Sequence, residues 1–103
     1  MNINKLYQEI NKGEQEAGYY DLKDTILLMA SDNYKDRFKA EYYQVKIRCD
    51  KLEALLDKYE HNELDFQLSC PVYMLRSQLF AMKQYVHILK ERAKIEKVDL
   101  KEV

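Results

Sequence analysis

Nine tyrosines are spread through this 103-residue chain, which contains no tryptophan. Several of the tyrosines lie near arginines or lysines in the sequence. A tyrosine ring offers a large face for stacking, while its hydroxyl stays available for hydrogen bonds. Arginine binds carboxylates and phosphates in a bidentate manner and also stacks on aromatic rings. These residue types favour a pocket for a nucleotide-like or acidic partner. The alternative interpretation is that they only form the amphipathic borders of helices.

The residues with reactive side chains form no recognisable catalytic or metal-binding motif. His61 and His87 have no second ligand three or four residues away, which is the spacing that helices use to bind metals. Cys70 precedes a predicted helix, where the pKa of a thiol can fall, but no base or orienting group is near it in the sequence. Cys49 lies on a predicted core face. We therefore expect no enzyme, no cofactor and no metal site.

Composition restricts the classes of partner. Hydrophobic residues make up 47% and charged residues 34% of the chain, and the formal net charge is -1. This balance is typical of a soluble helical protein and argues against binding to bulk nucleic acid, which usually requires a basic excess. No apolar run approaches the ~20 residues of a membrane span. We expect a cytoplasmic protein with free thiols.

Two long apolar patterns with helical spacing predict an all-α fold. In the first half, apolar residues recur at alternating intervals of four and three residues, which predicts a helix at about 33–60. These residues are Phe38, Tyr42, Val45, Cys49, Leu52, Leu56 and Tyr59. Residues Ser31, Asp32 and Asn33 are candidate caps for its start.

The second pattern predicts a helix at about 71–97. It comprises Val72, Leu75, Leu79, Met82, Val86, Leu89 and Ala93, and Pro71 suits its first turn, with Ser69 or Cys70 as the cap. A further stripe beside it contains Ala81, Tyr85, Ile88 and Ile95, with Arg92 among them. Because this apolar face is wider than a two-helix contact needs, we expect a homo-oligomer.

Two helices of similar length joined by a short connection pack antiparallel, so the sequence predicts a helical hairpin. Its facing patterns should bury Val45, Leu52, Leu56, Leu75, Leu79, Met82 and Leu89. In residues 1–30, helical spacing links Ile3, Leu6, Tyr7 and Ile10, and a short helix is expected between Tyr19 and Ala30. At this length the chain should form a single domain, 1–103, in which the N-terminal helical segment or another subunit covers the open side of the hairpin.

Residues from Tyr34 to Leu100, about two-thirds of the chain, resemble a family of small proteins found in phages and prophages, including crAss-like phages. In the first predicted helix the match runs through Tyr34-Lys35-Asp36-Arg37, Glu41-Tyr42, Arg48, Lys51-Leu52-Glu53 and Lys58-Tyr59-Glu60. In the second it runs through Cys70-Pro71, Leu75, Gln78-Leu79, Ala81-Met82, Tyr85, Ile88-Leu89 and Arg92-Ala93. The resemblance implies a phage or prophage origin and a helical hairpin, but no settled activity.

The predicted architecture is also loosely similar to that of other small phage hairpin proteins. Those proteins oligomerise and trap the cyclic-nucleotide or ADP-ribose-derived signals of bacterial immunity. By that analogy, the first hypothesis is a non-enzymatic anti-defence protein that sequesters a nucleotide signal. Its candidate ligand-binding residues are Arg48, Gln78, Tyr85, Arg92 and, as a weaker candidate, Tyr42. The alternative is an interaction module that docks on a host or phage protein and inhibits it.

Overall fold

The computed structural model describes residues 21–101, and every regular element within them is helical. A single 3₁₀ turn, Leu22–Thr25, runs into the short helix α1, Ile26–Met29. Two long helices follow, α2 (Tyr34–Glu60) and α3 (Val72–Glu96), and they pack against each other as a hairpin. The predicted fold class and both long helices are confirmed. The predictions for Ile3, Leu6, Tyr7 and Ile10 lie outside the described residues.

Local capping fixes the start of α2. The Asn33 side chain accepts a hydrogen bond from the Lys35 backbone N–H at 2.9 Å, which satisfies one of the unpaired N–H groups of the first turn. The Ser31 hydroxyl donates to the Asp36 carboxylate at 2.8 Å and so fixes the preceding loop. Asn33 is therefore the cap among the three candidates. The helix ends at Glu60, where the following Asn62 takes a positive φ of 57°.

The prediction that Ser69 or Cys70 caps α3 is wrong. Pro71 itself occupies the cap position, with an extended ψ of 141° and no capping side chain. Proline disfavours helical backbone in the residue before it, so the helix cannot extend back past Pro71. The first helical residue of α3 is therefore Val72. At the other end, Lys97 adopts a left-handed conformation, and the Val98 N–H bonds to the Ala93 carbonyl at 2.9 Å.

The core is concentrated in the part of the hairpin formed by the start of α2 and the end of α3. Its buried cluster consists of Phe38, Tyr42, Tyr43, Cys49, Val86, Leu89, Ala93 and Val98. Of the seven residues predicted to be buried, Leu56 and Leu89 are buried. The remaining five are only half-buried: Val45, Leu52, Leu75, Leu79 and Met82. Two helices cover each other along one stripe only, so the borders of that stripe stay open to solvent unless a third layer is present.

The N-terminal segment supplies such a layer for α2. Thr25 is fully buried, and its hydroxyl accepts a hydrogen bond from the Gln44 side chain at 2.9 Å. Leu28 packs on the core cluster, and the Asp21 carboxylate lies 3.4 Å from the Lys51 ammonium. The segment from residue 21 to residue 29 therefore runs along α2.

The far side of α3 remains exposed among the described residues. Apolar side chains there include Tyr73, Met74, Phe80, Ile88 and Ile95, and Ile95 is 80% exposed. None of the described helices combines the length and hydropathy that a membrane span requires.

Candidate functional site

Four of the five candidate residues lie along one edge of the hairpin. On α2, Tyr34, Glu41 and Arg48 recur every seven residues, and on α3, Gln78, Tyr85 and Arg92 do the same. Residues seven apart lie on nearly the same side of a helix, because seven residues make almost two turns. We call these six residues the tyrosine–arginine edge.

Contacts between the helices fix how the two stripes pair. Arg92 of α3 reaches Tyr34 of α2, and one repeat further along, Tyr85 of α3 reaches Glu41 of α2. In an antiparallel pair, moving seven residues forward on one helix corresponds to moving seven back on the other. The same register places Arg48 across from Gln78. The edge therefore consists of three successive cross-helix pairs.

The first pair is a closed network around Arg92. Its Nη2 donates to the Tyr34 hydroxyl at 2.8 Å, and its Nε donates to Glu96 Oε2 at 2.9 Å. The Tyr34 hydroxyl in turn donates to Glu96 Oε1 at 2.8 Å. The guanidinium carbon lies 4.9 Å from the centre of the Phe38 ring, in a cation–π contact. The guanidinium is thus oriented from three sides, while its side chain remains 43% exposed.

The second pair joins the Tyr85 hydroxyl, as donor, to the Glu41 carboxylate. Tyr85 is 42% exposed, so part of its ring faces solvent. The hydrogen bond holds the phenol end of the ring against α2. A ring that is fixed at one end and open on the surface is suited to stacking, because little conformational freedom remains to be lost on binding.

The third pair makes no cross-helix bond. Arg48 is exposed and forms no ion pair with any residue in the described part of the chain. The Gln78 amide nitrogen has only a long contact, 3.8 Å, to the sulfur of Met82. This end of the edge therefore offers a guanidinium with no ion pair among the described residues and an amide held only by a long contact to sulfur, and both are hydrogen-bond donors.

Hydrogen bonding to carboxylates keeps the tyrosines of the edge protonated. The bond to Glu96 raises the pKa of Tyr34, and the bond to Glu41 together with burial raises the pKa of Tyr85. The bonds from Tyr34 and Arg92 lower the pKa of Glu96, so this carboxylate stays ionised. At neutral pH the edge therefore presents neutral phenol rings beside charged guanidinium groups.

The chemistry that this arrangement can support is recognition by stacking and by hydrogen-bond donors. Two arginines and one glutamine provide donors suited to phosphate or carboxylate oxygens, and Tyr85 provides a ring face. Within residues 21–101, no three His, Cys, Asp or Glu side chains group together in a way that could hold a metal ion.

The fifth candidate, Tyr42, lies in the core, as its place in the apolar pattern predicted. Its ring is only 1% exposed, so it does not face the edge. Three hydrogen-bonding residues that hold the candidates in place were not themselves predicted: Tyr34, Glu41 and Glu96. The seven-residue spacing from Tyr34 through Glu41 to Arg48 was a usable signal. That spacing did not predict which face of α3 would pack beside these three residues of α2.

A separate cleft of about 450 Å³ lies at the closed end of the hairpin. Its lining residues include Tyr59, Leu64, Phe66, Cys70 and Pro71. Leu64 is half-buried in the wall, while Phe66 is largely exposed. The Cys70 thiol is free and half-buried. Among the described residues, the lining of this cleft mixes apolar side chains with Asn62 and Gln67 and includes no arginine or lysine.

A family model described as Sequestin matches residues 32–95, which include both long helices and all six residues of the tyrosine–arginine edge. No curated protein matches the chain, and no solved structure matches it. The match extends over more than half of the chain, from the loop before α2 to the last turn of α3. The chain therefore belongs to the Sequestin family.

Proposed function

We propose that this chain is a non-enzymatic anti-defence protein of phage or prophage origin, which binds and sequesters a nucleotide-derived immune signal in the host cytoplasm. Signals of the cyclic-nucleotide or cyclic ADP-ribose type combine a planar base with phosphates. The family name is consistent with a sequestering role. The observation that carries the proposal is that contacts to α2 hold both Tyr85 and Arg92 on one edge of the hairpin, where the seven-residue spacing also places Arg48 and Gln78.

Each group of the edge has a role in this proposal. Tyr85 stacks on the base, since its ring is fixed by Glu41 and partly open. Arg48 and Gln78 donate to phosphate oxygens, because neither is engaged across the hairpin. Arg92 adds a second guanidinium whose orientation is already set by Tyr34 and Glu96. A pre-oriented donor loses less entropy on binding than a mobile one does.

Sequestration requires that the ligand is released unchanged, and this distinguishes it from catalysis. We propose calorimetry of the full chain against cyclic dinucleotides, cyclic trinucleotides and cyclic ADP-ribose isomers. At least one of these should bind reversibly and be recovered intact after heat denaturation of the protein. Recovery of a cleaved nucleotide would mean that the protein is an enzyme.

The second candidate function is a module that docks on a host or phage protein. It is favoured by the exposed aromatic side chains of Tyr73 and Phe80, which lie on the side of α3 away from α2 and are 67% and 65% exposed. If no nucleotide of the panel gives heat or a thermal shift, and a lysate yields one stoichiometric protein partner, this second function is correct. Phe80→Glu should then abolish capture of that partner.

A further inference from the structure

The cleft at the closed end of the hairpin shares no lining residue with the tyrosine–arginine edge. Its volume of about 450 Å³ lies within the range of roughly 300–1,000 Å³ that is usual for pockets that bind small molecules. Its walls come from the last turn of α2, the connection between the helices and the start of α3. The closed-end cleft therefore has the size of a ligand site of its own.

Local structure holds both sides of the closed-end cleft in place. Where α2 ends, the Glu63 N–H bonds back to a carbonyl in the last turn at 2.9 Å, and the left-handed backbone of Asn62 makes this reversal possible. Where α3 begins, the ring of Pro71 fixes φ at -59°. The ion pair between Glu60 and Arg76, at 2.8 Å, joins the two helices at this end. The cleft is thus formed before a ligand binds, so binding requires little further ordering.

The walls combine aromatic rings with uncharged polar groups. Tyr59 and Phe66 contribute rings that are 41% and 56% exposed, so each keeps ring area that a ligand can cover. The side-chain amides of Asn62 and Gln67 also line the cleft, and neither makes a hydrogen bond within residues 21–101. Among the described residues, no charged side chain lines the cleft. These walls suit a ligand whose body is ring-sized, apolar over much of its surface and uncharged.

The surroundings of the closed-end cleft are acidic. Glu63 and Asp65 alternate with lining residues in the sequence, both are exposed, and neither forms an ion pair in the described part of the chain. Residues 60–71 contain these two carboxylates and Glu60 but no arginine or lysine, although the whole chain has a net charge of only -1. Glu60 is paired with Arg76. Two unpaired carboxylates beside aromatic rings favour a cation, because ring faces also attract positive charge.

We propose that the closed-end cleft binds a small organic cation, in which an apolar body about the size of an aromatic ring system carries an ammonium group. The body covers the rings of Tyr59 and Phe66, and the ammonium group lies near Glu63 and Asp65. An anion would be repelled by the same two carboxylates. This site goes beyond the proposed function, because nucleotide signals are anions and the tyrosine–arginine edge presents guanidinium groups to them.

Three probes that share one indole body test the cleft and the charge separately. Tryptamine is a cation at neutral pH, tryptophol is neutral, and indole-3-acetate is an anion. Cys70 lines the cleft and is a half-buried free thiol, so its alkylation by iodoacetamide reports whether the cleft is occupied. Mass spectrometry of the digested full chain separates this reaction from any at the buried Cys49. Tryptamine should protect Cys70 at a concentration about threefold lower than tryptophol, which is the scale of one exposed charge interaction, and indole-3-acetate should protect least.

A double substitution tests the two carboxylates. Glu63→Gln combined with Asp65→Asn should remove the preference for tryptamine and leave protection by tryptophol unchanged. The matched control combines Asp32→Asn with Asp99→Asn, which removes the same charge from two exposed positions at the opposite end of the hairpin. The control should keep the preference, because charges a hairpin length away are screened.

A second substitution tests the aromatic wall. Phe66→Ala should weaken protection by all three probes about fivefold through loss of the ring contact. Phe80→Ala is the matched control, because Phe80 is 65% exposed on α3 but does not line the cleft. The control should protect as the unaltered chain does. Both side chains are exposed, so circular dichroism should show the same helix content for each variant.

The opposite results would overturn the proposal. Equal protection by the three probes, or strongest protection by indole-3-acetate, would mean that the cleft does not select a cation. No protection of Cys70 by any probe would mean that the cleft does not bind an indole-sized body. Protection by a lysine-rich peptide but by none of the probes would mean that the occupant is a protein segment. Failure of the nucleotide panel would refute the proposed function and leave this result unaffected, whereas protection of Cys70 by a nucleotide would overturn the separate cation site.

Discussion

The two edges of the hairpin share one seven-residue spacing but differ in chemistry. On one edge, Glu53 pairs with Lys83 and Glu60 pairs with Arg76, so these two cations of α3 each meet a carboxylate of α2. We call this the ion-pair edge. On the tyrosine–arginine edge, the Arg92 guanidinium packs on the Phe38 ring, and Arg48 has no acidic partner among the described residues.

This difference separates a structural role from a binding role. Ion pairs on an exposed surface contribute little net stability, but their complementary charges suit a single register of the two helices. Because the ion pairs already favour the register, the residues on the tyrosine–arginine edge do not have to do so. They can present aromatic rings and unpaired hydrogen-bond donors instead. We therefore expect substitutions on the ion-pair edge to change stability slightly and substitutions on the tyrosine–arginine edge to change ligand binding.

The largest effect should come from the core that holds both edges. Leu89 is fully buried between the helices, so Leu89→Ala should lower the free energy of unfolding by about 2–5 kcal/mol. Leu52→Ala should cost less, because Leu52 is only half-buried. Urea unfolding followed by circular dichroism measures both values. Equal losses for the two variants would contradict the concentration of the core near the start of α2.

The next largest effect should distinguish the two edges by their contribution to nucleotide binding. Arg48→Ala should weaken nucleotide binding by about 1.5–3 kcal/mol, which is typical for loss of a charge-assisted hydrogen bond. Arg76→Ala, on the ion-pair edge, removes the same charge from the chain and should leave affinity nearly unchanged. Calorimetry with the tightest ligand of the panel provides both values. An equal loss for the two variants would indicate a general effect of net charge.

Tyr85 distinguishes stacking from hydrogen bonding at the tyrosine–arginine edge. Tyr85→Ala should weaken nucleotide binding by about 1–3 kcal/mol through loss of the stacked ring. Tyr85→Phe keeps the ring and loses only the bond to Glu41, so it should have a smaller effect. A Phe variant as weak as the Ala variant would show that the hydroxyl, not the ring face, recognises the ligand.

On the ion-pair edge, the expected changes are small. Glu60→Gln removes the ion pair with Arg76, whose atoms lie 2.8 Å apart with both side chains about half exposed. The free energy of unfolding should fall by at most about 1 kcal/mol, and less at high salt. The affinity for nucleotide should not change. A loss of several kcal/mol would mean that this edge does more than favour a register.

The smallest effect concerns pH. The bonds from Tyr34 and Arg92 lower the pKa of Glu96 in the folded state below its ordinary value of 4.5. The stability from this carboxylate is therefore fully present above its ordinary pKa and is lost as the pH falls through the lower folded value. Acid titration followed by NMR should show the Glu96 carboxylate protonating later than free glutamate, and Arg92→Lys should reduce the difference.

Spacing along the chain was sufficient to predict both long helices, because each apolar pattern is long and regular. The short connection between them predicted their antiparallel arrangement. The place of Tyr42 in the core followed from the same pattern, and its burial is confirmed. The cap at the start of α3 was not predictable, because a proline at that boundary suits either the cap or the first helical position.

Composition and periodicity were enough to predict an all-α hairpin, the face of each helix that packs in the core and the residue types available for recognition. Which side chains meet across the two helices became clear only from the packing of α2 against α3. Residues of one helix seven apart share a side whatever the partner does, but the register of the partner depends on contacts between residues far apart in sequence. The Tyr34–Arg92 and Glu41–Tyr85 contacts reveal that register, which places Arg48 opposite Gln78.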